Sequence, residues 1–91
     1  MSTATAESVA EADTHIAGLR DRLDDIDAKI IELWLERAAI SQEVGRTRVA
    51  SGGTRLVLNR EKAILERYRS QLGPDGVQLA LLILRAGRGP L

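Results

Sequence analysis

The sequence has no cysteine and no phenylalanine, and it holds only one histidine, one tryptophan, one tyrosine and two prolines in 91 residues. Each scarcity excludes something. Without cysteine there is no disulfide framework, no thiolate metal site and no thiol nucleophile. The single histidine, His15, lies near the N-terminus and cannot supply a histidine metal cluster or a credible serine–histidine pair. The longest unbroken apolar run, Leu79 to Leu84, falls far short of the roughly 20 residues that cross a bilayer. Residues 1–12 lack the basic start and apolar core of a secretory signal. A soluble, cytoplasmic, single-domain protein with no metal and no cofactor is predicted. A lone chain of this length buries only roughly 60–65% of its unfolded surface, so stabilisation by a second chain is expected.

The formal net charge is zero, yet the charges are segregated. Residues 1–45 carry 4 basic and 10 acidic groups, and residues 46–91 carry 9 basic and 3 acidic groups. Eleven of the 13 basic residues are arginine. A guanidinium presents a flat fork of donors that matches a carboxylate or phosphate, which an ammonium does not.

Residues 1–12 are small and polar without a period, which predicts a disordered lead, leaving 13–91 as the folded domain. From Asp13 an apolar stripe begins at Ile16, Leu19, Leu23, Ile26, Ile30 and Leu33, and resumes at Ile40 and Val44. Its 3,4 spacing predicts a long helix, capped by Asp13 or Thr14 and ending near Val49, before Ser51-Gly52-Gly53. Such a helix is about 35 residues and roughly 50 Å long. A compact chain of this size has a radius of gyration of only about 12 Å, so the stripe needs a second copy to cover it. A second helix is expected from about Asn59, as its N-cap, to Leu72. Gly73-Pro74-Asp75-Gly76 reads as a turn, with Pro74 or Asp75 starting a third helix whose run from Val77 to Ala86 is apolar nearly all round and therefore buried. Gly87, Gly89 and Pro90 are expected to end it. The fold class is all-α: three helices per chain, one long and two shorter, in an intertwined antiparallel homodimer.

Four arginines do not fit a purely structural pattern. Arg37 stands where the heptad demands an apolar residue. It is either a register-setting charge paired with Glu36 or Glu43, or part of an anion site. Arg48, 11 residues on, returns to within about 20° of Arg37 on the helix, roughly 16 Å along the axis. Arg20 lies 17 residues before Arg37 and is either a solvated partner of Asp24 or a contribution to the other chain's site in an antiparallel dimer. Arg60 and Glu61 open the second helix, where free amides and the helix dipole favour an anion. The Asp24, Asp25 and Asp27 group reads as a solvated face, and Ser51-Gly52-Gly53-Thr54 as a flexible connection rather than a phosphate loop. Acid–base, covalent and metal mechanisms have no residues to carry them. A set of arginines and one glutamate in an enclosed helical setting can bind a carboxylate-rich molecule, fix its shape and stabilise developing negative charge. A unimolecular rearrangement suits that inventory.

These residues together resemble the all-helical chorismate mutases, in particular a short subclass activated by a partner enzyme. The resemblance covers about Ala12 to the C-terminus. It is carried by the stretch Leu19-Arg20-Asp21-Arg22-Leu23-Asp24-Asp25-Ile26-Asp27, by Leu33-Trp34-Leu35-Glu36-Arg37, by Val44-Gly45-Arg46-Thr47-Arg48 and by Asn59-Arg60-Glu61. The subclass is marked further by Ser51-Gly52-Gly53-Thr54-Arg55-Leu56-Val57, by Leu72-Gly73-Pro74-Asp75-Gly76 and by the ending Gly87-Arg88-Gly89. The resemblance implies rearrangement of chorismate to prephenate in aromatic amino-acid biosynthesis. It implies that Arg20 of the partner chain, Arg37 and Arg60 grip the two carboxylates. Arg48 would face the ether oxygen and Glu61 would accept from the ring hydroxyl, with Thr54 and Val57 also against the substrate. More active relatives carry an acidic residue near Val57 and a glutamine late in the third helix, and neither is present here. The resemblance therefore implies weak activity alone and activation by DAHP synthase. Ser51, Gly52, Gly53, Arg88, Gly89, Pro90 and Leu91 would be the mobile contacts that the synthase fixes.

Two other readings fit the same residues: an isochorismate pyruvate lyase on the same fold, and a non-catalytic helical dimer or adaptor. Nucleic-acid binding is disfavoured although 46–69 is basic, because the chain has only two aromatics and no net positive charge. No membrane partner is expected.

Overall fold

The structure, a computed structural model, describes residues 3–54 and 57–89. It contains three helices, α1 (Thr3–Ala50), α2 (Leu58–Leu72) and α3 (Pro74–Arg88), and no strand among the described residues. The chain divides into two compact units, Met1–Glu32 and Leu33–Leu91.

The first unit consists of the N-terminal part of α1. The helix begins at Thr3, not near Asp13, so the described part of the expected disordered lead is helical. Alanine and glutamate dominate there, both good helix formers, and no proline interrupts them. Thr14, expected as a cap, instead turns its hydroxyl back onto the Ala10 carbonyl at 3.0 Å inside the helix. The apolar stripe of this unit lies exposed, with Leu23 at 56% and Ile30 at 58% of their full surface.

The second unit holds the rest of α1 with α2 and α3. α2 and α3 pack together, joined by the single residue Gly73, whose φ of 73° is the left-handed conformation glycine adopts freely. Pro74 then stands at the start of α3, where its missing N–H costs nothing. The buried positions of α3 are Gly76, Ala80, Leu84 and Gly87, a stripe at helical spacing. At Gly76 a β-carbon would run into the Tyr68 carbonyl oxygen and lie 2.8 Å from Leu72 Cβ. The missing side chain is what lets α3 close onto α2.

Two expectations about α3 change. Gly87 does not end the helix but lies inside it, close against α1: a β-carbon there would meet Ser41 Oγ at 2.5 Å. Nor is α3 buried all round, since Leu79, Leu81 and Leu82 are exposed within the chain. The start of α2 also moves. Val57, extended at φ −120° and ψ 95°, takes the cap position, Asn59 falls within the first turn, and no side chain caps the helix.

The apolar residues buried within the chain are few, Ala80 and Leu84 among the described residues. Ile31, Leu33, Leu35, Ile40 and Val44 all stand exposed on α1.

Candidate active site

The second unit encloses a cavity of about 340 Å³. All three helices contribute to its wall: Arg37 and Arg48 from α1, Arg60 and Glu61 from α2, and Leu84 and Arg88 from α3. The volume lies in the range that encloses one small ligand.

On α1, Arg37, Ser41, Gly45 and Arg48 follow one another at helical spacing on one face, and all four line the cavity. All four are half-buried. The Arg37 guanidinium makes no ion pair with Glu36 or Glu43 among the described residues, so the register-pairing alternative finds no support within the chain. The guanidinium groups of Arg48 and Arg60 are likewise without an ion pair there. Arg46, which sequence reasoning did not select, adds a further cation to the wall.

The C-terminus of α1 is tied to the loop that follows. Gly53 N–H donates to the Arg48 carbonyl at 2.8 Å and the Ser51 hydroxyl to the same oxygen at 3.0 Å. Ser51 N–H reaches Thr47 and Gly52 N–H reaches Val49. These bonds satisfy carbonyls that a helix end otherwise leaves open. Of the flexible connection expected at 51–54, Ser51, Gly52 and Gly53 are therefore bonded to the helix it leaves. A β-carbon on Gly53 would lie 2.7 Å from Arg48 Cγ, so the loop backbone rests against the Arg48 stem.

Across the cavity, Val57 caps α2 and Glu61 N–H donates to its carbonyl at 3.1 Å. With no side chain on the preceding amides, the positive end of α2 adds to the field of the arginines. Arg88 Nε lies 3.6 Å from Glu61 Oε1, with side-chain exposures of 28% and 21%. The end of α3 is anchored to α1, since Gln42 Nε2 donates to the Ala86 carbonyl at 3.0 Å.

The structure thus brings Arg37, Arg48, Val57, Arg60, Glu61 and Arg88 to one cavity. Arg88, expected as a contact for a partner enzyme, is among them. Arg20, Ser51, Gly52, Gly53, Thr54 and Gly89 are not part of the lining, and Arg55, Leu56, Pro90 and Leu91 lie outside the described residues. Ser41 and Gln42 were missed, although Ser41 lies one turn beyond Arg37 on the same face. Among the described residues no group of histidine, aspartate and glutamate could hold a metal ion, and no helix is long and apolar enough to cross a membrane. Among the described residues, the one shifted pair of titrating groups lies outside the cavity wall: hydrogen bonds from Arg69 hold the exposed Glu66 carboxyl below its ordinary value, and Glu66 raises Arg69 in turn.

The fold and the site define a class: an all-helical protein that gathers arginines and a single glutamate around one cavity. The comparisons with known proteins narrow it. The chorismate mutase type II family matches residues 19–82. The intracellular chorismate mutase of Mycobacterium tuberculosis (strain ATCC 25618 / H37Rv) is 51% identical over 86 residues, covering 94% of this chain and 77% of its own. That of Mycolicibacterium smegmatis is 47% identical over 87 residues, covering 96% and 80%. Among solved structures, a non-covalent complex of DAHP synthase and chorismate mutase from Corynebacterium glutamicum, with a bound transition state analog, contains a chain that superposes with a TM-score of 0.82. That chain is 42% identical, with 88% of this chain and 96% of that one covered. The chain belongs to the type II chorismate mutase family, and its enzymatic class is isomerase.

Proposed function

We propose that the cavity binds chorismate and rearranges it to prephenate. The observation that carries this reading is the set of arginines, Arg37, Arg48 and Arg60, lining one cavity with no ion pair to a carboxylate among the described residues. Chorismate is a dianion that rearranges within itself: one C–O bond breaks as one C–C bond forms, and no atom leaves. Arg37 and Arg60 hold its carboxylates and, with Val57, keep the side chain folded over the ring. Restricting the substrate to that shape removes much of the entropic barrier. Arg48 faces the ether oxygen, where negative charge grows as the bond breaks, so it stabilises the transition state more than the ground state. Glu61 accepts the ring hydroxyl. No proton transfer or covalent intermediate is required.

The active unit spans residues 13–91 and works as a homodimer. The support is the exposed stripe of α1 and the scarcity of buried apolar residues within one chain, both of which a second copy corrects. In that dimer Arg20 of one copy completes the cavity of the other. The mutase of the Corynebacterium glutamicum complex is held by DAHP synthase. We infer the same partner here, engaging Ser51, Gly52 and Gly53 and the stretch from Arg88 and Gly89 to Pro90 and Leu91. The relatives are named intracellular, in keeping with a cytoplasmic enzyme.

The test follows loss of chorismate and identifies the product, with the protein alone and with DAHP synthase added. Prephenate is expected in both, faster with the synthase, and Arg48→Ala lowers kcat by about 10²–10³. Turnover that survives Arg48→Ala within threefold removes that residue's role. Pyruvate from isochorismate with no prephenate from chorismate would establish the lyase instead.

A further inference from the structure

Arg88 is the residue whose position the sequence did not anticipate. Its Nε is buried and has no hydrogen-bond partner among the described residues. Glu61 Oε1 lies 3.6 Å away. That is beyond the roughly 3.2 Å limit of a good N–H···O bond, yet close enough for strong attraction between two half-buried groups. A shift of the carboxylate by about 0.4 Å would complete the bond.

The backbone that carries Arg88 is fixed. Gln42 bonds the Ala86 carbonyl at 3.0 Å, Gly87 lies directly on Ser41, and Gly89 lies against the Gln42 side chain. The end of α3 is therefore pinned to α1, and Arg88 reaches Glu61 from an anchored base. The anchoring matters because of what else surrounds the cavity. A mobile carboxylate there would be drawn to Arg37, Arg48 and Arg60, whose charges it would neutralise. Held by Arg88, it leaves those cations to the ligand.

We propose that Arg88 is a positioning residue for Glu61, held in place by Gln42, and that it acts by keeping the Glu61 carboxylate apart from the anion-binding arginines and aimed at the ligand's hydroxyl. The proposal deepens the mutase reading and rests on it for the role of Glu61.

A double-mutant cycle on kcat/KM for chorismate, with the full chain and without synthase, tests it. Arg88→Met keeps the apolar stem and removes the charge, and a fall of about tenfold is expected, with KM rising because the freed carboxylate competes for the arginines. Arg88→Lys restores a cation and recovers to within threefold of wild type. Gln42→Ala, which releases the end of α3, falls between the two. Because Arg88 acts through Glu61, the Arg88→Met/Glu61→Gln double variant is no worse than Glu61→Gln alone. Multiplicative losses would overturn the proposal, since Arg88 would then act on the substrate by itself. So would an Arg88→Met enzyme that matches wild type alone and differs only when synthase is present, which would make Arg88 a partner contact. If Arg88→Met unfolds, the cycle of Gln42→Ala with Glu61→Gln is read by the same criterion. Should the wild-type chain form no prephenate from chorismate, the mutase reading itself fails; should Glu61→Gln and Arg48→Ala both leave turnover intact, the assignment of the reaction to this cavity fails; each result is distinct from a failure confined to Arg88.

Discussion

Replacing Gly87 by alanine puts a β-carbon where α3 meets α1. The new carbon would lie 2.5 Å from Ser41 Oγ, 2.9 Å from Ser41 Cβ and 3.8 Å from Arg37 Nη1. Carbon atoms in contact prefer about 3.5–4.0 Å, so the overlap with Ser41 Cβ is about 0.6 Å or more. Rotating the Ser41 hydroxyl aside relieves the first clash but not the second, because Cβ is fixed to the α1 backbone. The helix ends must separate instead. Overpacking of this kind costs about 1–3 kcal/mol. Separation also stretches the Gln42 to Ala86 bond, now 3.0 Å, whose loss adds about 0.5–1.5 kcal/mol. Against this, alanine is about 1 kcal/mol better than glycine inside a helix. The net is a destabilisation of about 1–3 kcal/mol, or a fall in Tm of roughly 4–8 °C for each kcal/mol in a domain of this size. Thermal unfolding by circular dichroism at fixed protein concentration measures it, alongside chorismate turnover, since Arg37 and Arg88 flank the site of the clash. Ser41→Gly removes the fixed β-carbon opposite. The Ser41→Gly/Gly87→Ala double variant therefore recovers about 1 kcal/mol or more relative to additivity. A Gly87→Ala protein that melts at or above wild type with full turnover would refute the close approach of α3 to α1.

Three further perturbations separate the parts of the fold. Gly76→Ala forces a β-carbon onto the Tyr68 carbonyl and Leu72 Cβ, atoms that cannot move without parting α2 from α3, so a loss of about 2 kcal/mol in urea unfolding is expected. Gly18→Ala has the opposite sign: nothing lies within 4 Å of the new carbon, and the helix gains up to about 1 kcal/mol. Equal effects at the two sites would contradict the packing described. Ile30→Asp places a charge on the α1 stripe, where the wild-type side chain is 58% exposed within one chain. In the proposed dimer, sedimentation should then report monomers and turnover should collapse, because Arg20 would no longer reach the other copy's cavity. A dimer that survives intact would mean that the stripe is not the dimer surface.

How far the sequence could be read is visible in particular residues. Arg37 was conspicuous because it interrupts an otherwise regular apolar stripe, and Arg48 because helical arithmetic returns it to the same face. Arg60 and Glu61 were legible because they open a helix, where an anion is favoured. In each case a local rule, a period or a helix end, carried the information. Gly87 misled for the same reason. Locally it is a helix breaker beside Gly89 and Pro90, and only the approach of α3 to Ser41 explains why it sits inside the helix. The place of Arg88 in the cavity wall was hidden with it, since a helix that stops at Ala86 offers no fixed base from which a side chain could reach Glu61. Ser41 and Gln42 were passed over because a serine and a glutamine on an amphipathic helix carry no signal until another chain segment arrives to meet them.

The sequence by itself determined the helices, the charge asymmetry and the poverty of reactive side chains. Those follow from periodicity, propensity and composition, which are properties of neighbours along the chain. Only the tertiary structure decided that α1, α2 and α3 close around one cavity, that the loop after α1 is bonded to its last turn, and that Arg88 stands beside Glu61. Those depend on where glycines let backbones meet and on which carbonyls find donors far away in sequence. No local pattern records either one.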